Sequence, residues 1–398
     1  MLGIRPDVIR GSLILQSLRE TLGSNLVFVW SGQHYSHNLK DIFFDQLEVA
    51  PPDYELACDT ASEQRFIADL TNKLGGLLEQ IRPAVCCFLG DTNTVLGTVA
   101  CASLNIPIVH IEGCMRSYDW RMPEEKYRTI ADHLSDVIYA YLPSYAEQGI
   151  AEGIAESSIV VTGNPIVDVL EHYFLSGKLR MSPGERASRF DNLGITDRPY
   201  LVMTAHRREN VEVRLPLENI LQLAASTEHP VVFPASYRTQ ASITRFDLKL
   251  PSNVRLIDPV GYVEFLELVN GADLVLTDSG TVVEETSVLG IPTIQMRHST
   301  ERPEVYDTGG CIKFDPSLRY GIAEFSQAMD AGLSRRNLNW SHNLGDGKAS
   351  ERIVRDILQR FNSPELLRGH DVRLTTKPYR RNFGAGLSER GTWRRSSL

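Results

Sequence analysis

The chain has 398 residues, of which 42% are apolar and 23% charged; this is typical of a globular enzyme and is long enough for two domains. Its net charge of −9 argues against a nucleic-acid-binding protein, which would normally carry a basic face. The first residues show no signal-peptide pattern, and no apolar run approaches the roughly 20 residues needed to span a bilayer, so we expect a cytoplasmic protein without a signal peptide or membrane contacts.

The six cysteines show neither a CxxC motif nor a cysteine–histidine spacing suited to zinc. Most of them lie among apolar neighbours, so we expect buried thiols in a reducing compartment rather than a disulfide framework. The cysteines therefore indicate no metal site.

Short apolar runs alternate with longer helical patterns along the chain. We predict buried strands at 26–30, 84–89, 106–111 and 137–142, with helices over 61–80 and 92–104. A second series of strands is predicted at 200–205, 230–235, 254–257, 274–278 and 292–296. Such alternation with continuously apolar strands is typical of parallel sheets covered on both faces, so we predict an α/β protein with two Rossmann-like domains around a central cleft.

The domain boundary is expected near residues 161–174. We predict an N-terminal Rossmann-like domain at 1–170 and a C-terminal one at 171–348. An amphipathic helix within 349–366 is expected to pack back on the first domain. The segment 367–398 is rich in arginine, glycine and serine and is predicted to be a disordered basic tail.

The N-terminus is irregular for this fold class. GIRPD at residues 3–7 resembles a loop that follows a first strand, yet only Met1 and Leu2 precede it. We therefore expect the first strand to be truncated. Without that strand, Arg5 lacks its usual support.

Polar residues recur where the predicted strands end. GDTNT (90–94) and Glu112 follow two strands of the first series, and HRREN (206–210) and DSGT (278–281) follow two strands of the second. Ligands of open α/β sheets bind beyond the carboxyl ends of the strands. The pattern predicts a cleft lined from both domains.

The segment DSGTVVEE (278–285) predicts a strand end, a tight turn and a helix N-terminus. Backbone N–H groups and the hydroxyl of Ser279 suit a phosphate there, and Glu285 could accept hydrogen bonds from a ribose. A simple helix cap by Asp278 or Ser279 without a ligand is the alternative. Arg302 follows the next strand and suits a phosphate, because its planar fork can donate two hydrogen bonds.

Three acids, Asp91, Glu112 and Glu124, lie at or just beyond strand ends in the first domain. Bringing carboxylates together in a partly closed cleft raises the pKa values of some of them, which suits proton abstraction. Glu124 and Arg128 are four residues apart and share one helix face, while Glu125 points roughly 100° away. A surface ion pair is the alternative for this segment.

Nine short motifs follow one another along residues 3–365. They are GIRPDVIR (3–10), GQHY (32–35), GDTNT (90–94), HIEGCMR (110–116), PEEKYR (123–128), VTGNPIVD (161–168), AHRREN (205–210), DSGTVVEE (278–285) and ERPE (301–304). In this order they resemble the non-hydrolysing UDP-N-acetylglucosamine 2-epimerases and their relatives acting on other UDP-2-acetamido sugars. The resemblance implies a GT-B-like fold and a homodimer.

The resemblance also implies a mechanism without metal or cofactor. A base removes the proton at C2 of the sugar while UDP leaves C1, and UDP adds back to the 2-acetamidoglucal after reprotonation on the opposite face. Catalytic roles are implied for Asp91, Glu112, Glu124, Arg128, His206 and Arg10. Binding of the UDP-sugar is implied for Arg5, Arg207, Arg238, Phe265, Ser279, Gly280, Thr281, Glu285 and Arg302.

Some of these roles have structural alternatives. Phe265 would stack on uracil, with ordinary core packing as the alternative, and His206 could be a core histidine held by backbone. In 110–128, we expect Asp119, Glu125 and Lys126 to face solvent or to hold the loop in shape.

The chain departs from the family pattern at several positions. Arg10 replaces a common lysine, and SGTVVEE (279–285) replaces the usual SGGIQEE; both favour the branch acting on 6-deoxy, uronate or otherwise modified sugars. Ser236 stands where a histidine is usual. A second, activating substrate site near GQH is only partly matched, by Gln33 and His34.

Two other function classes stay open. A GT-B glycosyltransferase would share the fold, but it does not need acids on both faces of a sugar. A nucleotide-sugar-binding protein without activity is the other possibility, for which the short N-terminus is the main argument. A hydrolysing epimerase is a less favoured variant.

Overall fold

The computed structural model describes residues 1–32, 44–196 and 198–363, without the side chains of Arg5 and Phe361. The predictions for Gln33, His34, the Arg5 side chain and the tail at 367–398 therefore lie outside the described residues. No helix within the described ranges is long and apolar enough to cross a membrane.

The second half of the chain builds a six-stranded parallel sheet in the order β12-β11-β10-β7-β8-β9. Its strands are β7 (Leu201–Thr204), β8 (Val231–Pro234), β9 (Val254–Ile257), β10 (Leu274–Thr277), β11 (Thr293–Met296) and β12 (Cys311–Phe314). All residues of β7, β10 and β11 are buried, as expected for a sheet covered on both faces.

The first half builds a four-stranded parallel sheet, β3-β4-β5-β6, and a two-stranded parallel sheet, β1-β2. Their strands are β1 (Val29–Trp30), β2 (Tyr54–Glu55), β3 (Cys86–Leu89), β4 (Ile108–Ile111), β5 (Val137–Ala140) and β6 (Ile159–Val161). Met1 and Leu2 lie between the two sheets. Leu2 forms a parallel bridge with Trp30, and the amino terminus donates a hydrogen bond to the carbonyl of Cys87. Two residues thus occupy the position where a first strand was expected.

Helices connect the strands. Their bounds are Arg5–Leu22, Glu63–Ile81, Thr98–Ser103, Pro123–Leu134, Pro143–Ala151, Pro165–Val169, Pro183–Asn192, Arg208–Val211, Arg214–Ala225, Tyr237–Arg245, Tyr262–Asn270, Gly280–Leu289, Ile322–Leu333 and Ala349–Phe361. A π-helical turn at Leu170–Leu175 follows the sixth of these helices. Short 3-10 turns lie at Gly23–Asn25, Asn93–Gly97, Glu156–Ser158, Pro303–Tyr306 and Ser334–Asn337.

Two sequence-based element predictions need correction. The segment 3–7 is not wholly a loop, because the first helix begins at Arg5, where Pro6 fits the first turn without a helical N–H. The predicted helix over 92–104 is a 3-10 turn followed by the short helix Thr98–Ser103. The last helix packs against the first: Ile353 and Ile357 share a buried cluster with Val8 and Ile9.

The strand registers bring the polar strand ends together. Leu89 pairs with Ile111, so Gly90 and Glu112 leave the first sheet side by side. In the second sheet Thr204 pairs with Thr277, so Ala205 and Asp278 leave it together. Both carboxyl edges therefore present the residues that the sequence singled out.

Candidate active site

Glu112 is held in an unusual backbone conformation at the end of β4. Its φ of +76° lies in the left-handed region, which costs a non-glycine residue roughly 1–3 kcal/mol. Its N–H donates to the carbonyl of Tyr139 at 3.1 Å. The carboxylate is fully buried, with Oε2 paired to Arg10 and Oε1 accepting from Arg302 Nη2 at 2.5 Å. Arg10 and Arg302 thus each bind one oxygen of this buried carboxylate.

Arg302 joins the two domains. Its Nη2 reaches Glu112 of the first domain, while its Nε donates to Oε1 of Glu284 at 2.7 Å and its Nη1 pairs with Glu301. The side chain is buried, so each of its three nitrogens is paired with a carboxylate away from solvent. Such charge-assisted forks are among the strongest side-chain interactions in proteins.

Gly280 makes room for this arginine. A Cβ at Gly280 would lie 2.6 Å from Arg302 Nη1 and 2.9 Å from its Cζ. Because Gly280 also opens the helix Gly280–Leu289, only a residue without a side chain lets the guanidinium cross the helix start.

Glu284 provides a second connection between the domains. Its Oε1 also accepts a 2.9 Å hydrogen bond from Nδ2 of Asn164, whose Oδ1 caps the helix Pro165–Val169 by accepting from the N–H of Ile166. Burial raises the pKa of Glu284, although Arg302 and Arg10 oppose the shift. The VTGNP and VVEE motifs thus meet in one buried contact.

Asp91 is paired with Arg128. Burial raises the pKa of Asp91, but the charges of Arg128, Arg302 and Arg207 together outweigh it and hold that pKa below its ordinary value. Arg128 also donates from Nη1 to Oε2 of Glu125 at 2.9 Å and to the carbonyl of Met115 at 3.1 Å. Arg128 is buried and points at Asp91 rather than pairing with Glu124 along the helix, so the alternative of a surface ion pair with Glu124 is wrong.

Glu124 is half-buried and makes no ion pair or hydrogen bond to another side chain in the described part of the chain. Burial raises its pKa; Arg207 opposes the shift and Asp91 adds to it. The first domain thus presents three carboxylates in different states: Glu112 bound by two arginines, Asp91 bound by one, and Glu124 unpaired.

His206 lies at the facing edge of the second sheet. The backbone N–H groups of His206 and Arg207 donate to Asp278, and His206 Nδ1 lies 3.2 Å from Asp278 Oδ1. The ring is 47% exposed, which excludes a buried core histidine. Desolvation and the charges of Arg207 and Arg297 lower the pKa of His206, although the charge of Asp278 opposes the shift.

The turn after β10 is capped by its own side chain. Ser279 Oγ accepts from the N–H of Val282 at 3.4 Å, and the N–H of Ser279 donates to Thr277 Oγ1 at 3.0 Å. In this structure Ser279 therefore caps the helix, as the alternative to phosphate binding predicted. Thr281, the second residue of the helix, is half-buried.

Glu285 lies one turn further into the same helix. Burial raises its pKa to about 8, while the hydroxyl of Tyr262, which hydrogen-bonds it, opposes the shift. Tyr262 begins a helix whose preceding residues, 258–261, line an open cleft of about 560 Å³. Phe265 is half-buried and packs against the hydrophobic cluster around Phe190, so core packing accounts for part of its surface.

The remaining predicted arginines differ in exposure. Arg207 is half-buried, with Nη2 3.8 Å from Glu301 Oε1. Arg238 is 46% exposed and lies 3.5 Å from Oε1 of Glu212. Across the mouth of the cleft, Ser299 Oγ donates to Oδ2 of Asp119 at 2.8 Å.

Several central residues were absent from the sequence-based site. Glu301 and Glu284 both accept hydrogen bonds from Arg302. Asn164 of the first domain donates a hydrogen bond to Glu284. Glu125 accepts one from Arg128. All four lie within the recognised motifs, which was the only available signal. Among the residues that the structure describes, no group of three or more histidine, cysteine, aspartate or glutamate side chains could hold a metal ion. All six cysteines lie within the described residues, and none of them forms a disulfide bond.

A family model described as UDP-N-acetylglucosamine 2-epimerase matches residues 16–358. The chain belongs to this family. The predicted membership is therefore confirmed, and with it the assignment as an isomerase-type enzyme.

Individual members of the family resemble the chain over nearly its whole length. The UDP-N-acetylglucosamine 2-epimerase of Methanocaldococcus jannaschii is 35% identical over 365 residues, which cover 89% of this chain and 97% of that protein. The UDP-2,3-diacetamido-2,3-dideoxy-D-glucuronate 2-epimerase of Pseudomonas aeruginosa is 31% identical over 358 residues, covering 89% and 97%.

A solved structure shows the same architecture. The M. jannaschii UDP-GlcNAc 2-epimerase, crystallised in complex with UDP-GlcNAc and UDP, matches with a TM-score of 0.81 at 32% identity, over 90% of this chain and 98% of that one. The predicted α/β fold with two Rossmann-like domains is confirmed.

Proposed function

We propose that the chain is a UDP-sugar 2-epimerase that interconverts UDP-N-acetylglucosamine and UDP-N-acetylmannosamine. One observation carries this proposal. Asp91 and Glu112 lie at the carboxyl edge of the first sheet, Glu124 is close enough to Asp91 to interact with its charge, and Arg302 of the second domain contacts Glu112. Inversion at a carbon needs proton acceptors and donors on both faces of the sugar, and the loss of a diphosphate needs positive charge.

The reaction has two balanced halves. A carboxylate takes the C2 proton, the C2–H electrons form the C1=C2 double bond, and the C1–O bond breaks with its electron pair passing to UDP. In the second half a proton is delivered to the opposite face of C2, and a diphosphate oxygen attacks C1. The net change is inversion at C2 without oxidation or reduction.

The electrostatic states of the carboxylates suit different roles. Asp91, whose pKa is held below its ordinary value, is ionised at neutral pH and suits the base. Glu124, with a raised pKa and no side-chain partner within the described residues, suits the donor on the other face. Glu112, which pairs with Arg10 and Arg302, is the third member of the proposed acid/base set.

The second domain would hold UDP. The N-terminus of the ten-residue helix Gly280–Leu289 supplies backbone N–H groups and a positive dipole end for the diphosphate, with Ser279 and Thr281 beside it. The nucleoside would lie in the 560 Å³ cleft, which is lined by the residues just before Tyr262, the partner of Glu285. Phe265 would lie at its side. His206, Arg207 and Arg238 would add polar contacts to the sugar phosphate.

A second candidate is a modified UDP-2-acetamido sugar of the uronate type. The 31% identity to the P. aeruginosa diacetamido-glucuronate enzyme supports it, as do Arg10 and the sequence SGTVVEE. The two candidates share the chemistry at C2 and differ only at C3 and C6 of the sugar. We further propose that the protein is a cytoplasmic homodimer that needs neither metal nor cofactor.

Both candidates can be tested side by side. The protein would be incubated with UDP-N-acetylglucosamine and, separately, with UDP-2,3-diacetamido-2,3-dideoxy-glucuronate, with excess EDTA, and the H2 and anomeric proton signals followed by NMR. A manno-configured product from either substrate supports the epimerase and names its sugar. Release of free sugar would indicate a hydrolase, and no change in either substrate would reject both candidates.

A further inference from the structure

The carboxylate of Glu125 forms a connection that the sequence did not predict. It was expected to face solvent or hold the loop, and it is 1% exposed. Its Oε1 accepts from the N–H of Tyr118 at 2.8 Å, and its Oε2 accepts from Ser117 Oγ at 3.0 Å and from Arg128 Nη1 at 2.9 Å. The N–H of Ser117 lies 3.1 Å from Oε1 and 3.0 Å from Oε2.

These contacts join the loop after β4 to the arginine that binds Asp91. Arg128 Nη1 is shared between Glu125 and the carbonyl of Met115, while Nη2 reaches Asp91. Since the guanidinium is planar and rigid, fixing Nη1 also fixes the direction of Nη2. The orientation of Asp91 therefore depends on Glu125, because Arg128 binds both carboxylates.

The backbone of the loop adds a second reason for this carboxylate. Tyr118 has a φ of +56°, a strained value for an aromatic residue, and its N–H is one of the groups bound by Glu125. The Glu125 side chain thus stabilises the strained backbone of the loop and also orients the guanidinium of Arg128. Its neighbour Glu124 has no such contacts within the described ranges and remains available to the cleft.

We propose that Glu125 is a positioning residue of the epimerase reaction, acting on Asp91 through Arg128. The kinetic part of this inference rests on the proposed function. Without the Glu125 charge, Arg128 Nη1 keeps only one carbonyl acceptor, and the guanidinium turns away from Asp91 for part of the time. Asp91 then protonates at higher pH and spends less time aligned with C2.

The test compares Glu125→Gln with Glu152→Gln. Glu152 binds the buried Arg116 of the same loop but has no hydrogen bond to Arg128 or Asp91 among the described contacts, so the second variant removes a comparable carboxylate without the connection. We expect Glu125→Gln to lower kcat about 10- to 100-fold with KM changed less than about threefold, and to move the acidic limb of the pH–kcat profile upward. Glu152→Gln should keep the wild-type profile. A wild-type kcat and pH profile in folded Glu125→Gln, or the same changes in both variants, would overturn the proposal.

A milder variant covers the case in which Glu125→Gln does not fold. Ser117→Ala removes one hydroxyl donor to Glu125 and leaves both backbone N–H groups in place. It should lower kcat about two- to fivefold, with the acidic limb shifted the same way; an unchanged kcat and limb would count against the proposal.

A substrate-free measurement separates this inference from the proposed function. In protein labelled with 15N-arginine, slow rotation of the Arg128 guanidinium is expected in the wild type and faster rotation in Glu125→Gln, or in Ser117→Ala if that is the variant that folds. If the wild type transforms no UDP-sugar but this difference is seen, the proposed reaction fails while the positioning contact stands. If rotation is the same in wild type and variant, the positioning role fails whatever the reaction.

Discussion

Arg302 Nη2 donates a 2.5 Å hydrogen bond to Oε1 of Glu112, across the boundary between the two sheets. The same guanidinium binds Glu284 and Glu301, so one buried cation neutralises carboxylates from both domains. Arg10 reaches the other oxygen of Glu112. Ion pairs between residues that lie far apart in the sequence, Arg10–Glu112 and Arg302–Glu112, therefore hold this part of the cleft together.

Removing the Arg302 charge should destabilise the protein strongly. Arg302→Met leaves three buried carboxylates without their shared partner, and we expect the free energy of unfolding to fall by about 3–5 kcal/mol in urea titrations. Arg238→Met, at a side chain that is 46% exposed, should change it by less than about 1 kcal/mol. Similar losses in the two variants would contradict the central role of Arg302.

A methyl group at Gly280 should disturb the same centre. In Gly280→Ala the new Cβ would lie 2.6 Å from Arg302 Nη1, so we expect a loss of about 1–3 kcal/mol in stability and a lower kcat. Gly76→Ala, within the helix Glu63–Ile81, meets no heavy atom within 4 Å and should stabilise slightly. Thermal unfolding of both variants measures the difference, and a harmless Gly280→Ala would show that Arg302 can shift without cost.

Glu285 should make stability depend on pH. Its pKa is raised to about 8 in the folded chain, so the folded state holds a proton that the unfolded state releases near pH 4.5. Its contribution is fully present below the unfolded pKa and is lost as pH rises toward 8. Glu285→Gln mimics the neutral form and should gain in Tm over the wild type above pH 8, with little difference at pH 5.

The control for this pH dependence is Glu351→Gln, at the exposed start of the last helix. It should follow the wild-type curve of Tm against pH throughout. A constant difference between Glu285→Gln and the wild type at every pH would mean that Glu285 does not titrate in this window.

Glu124 should matter for turnover and not for UDP binding. Glu124→Gln removes a proton donor but leaves the nucleotide side intact, so we expect kcat to fall about 10²- to 10⁴-fold. The Kd of UDP, measured by calorimetry, should stay within about threefold. Glu147→Gln, at an exposed position of the helix Pro143–Ala151, should leave both constants unchanged. A large loss of UDP affinity in Glu124→Gln would indicate that Glu124 contributes to nucleotide binding.

The apolar periodicity was enough to find most strands, because they are buried on both faces. It missed β12, where Ile312 and Lys313 are less buried than Cys311 and Phe314, so no continuous apolar run appears. It also missed β2 and β6; β2 has only two, exposed residues. Edge strands of this kind are held by pairing with a neighbour, which a local pattern does not reveal.

The site was predictable as a set of strand-end residues but not as a set of partners. Helix spacing correctly separated Glu125 from Glu124, yet it could not say that the 100° difference turns Glu125 inward. Likewise, Arg302 was expected to face phosphate, and three carboxylates from two domains surround it in the structure. Those partners are set by how the two sheets face each other, which no local pattern encodes.

Deuterium exchange at C2 is the most direct test of proton removal by the protein. The protein would be incubated in deuterated water with whichever UDP-2-acetamido sugar it turns over, and C2 of both epimers examined by NMR. We expect deuterium at C2 of the product, with inversion and with the UDP moiety retained. Product formed in deuterated water with the original hydrogen still at C2 would contradict proton removal by a carboxylate and, with it, the proposed mechanism.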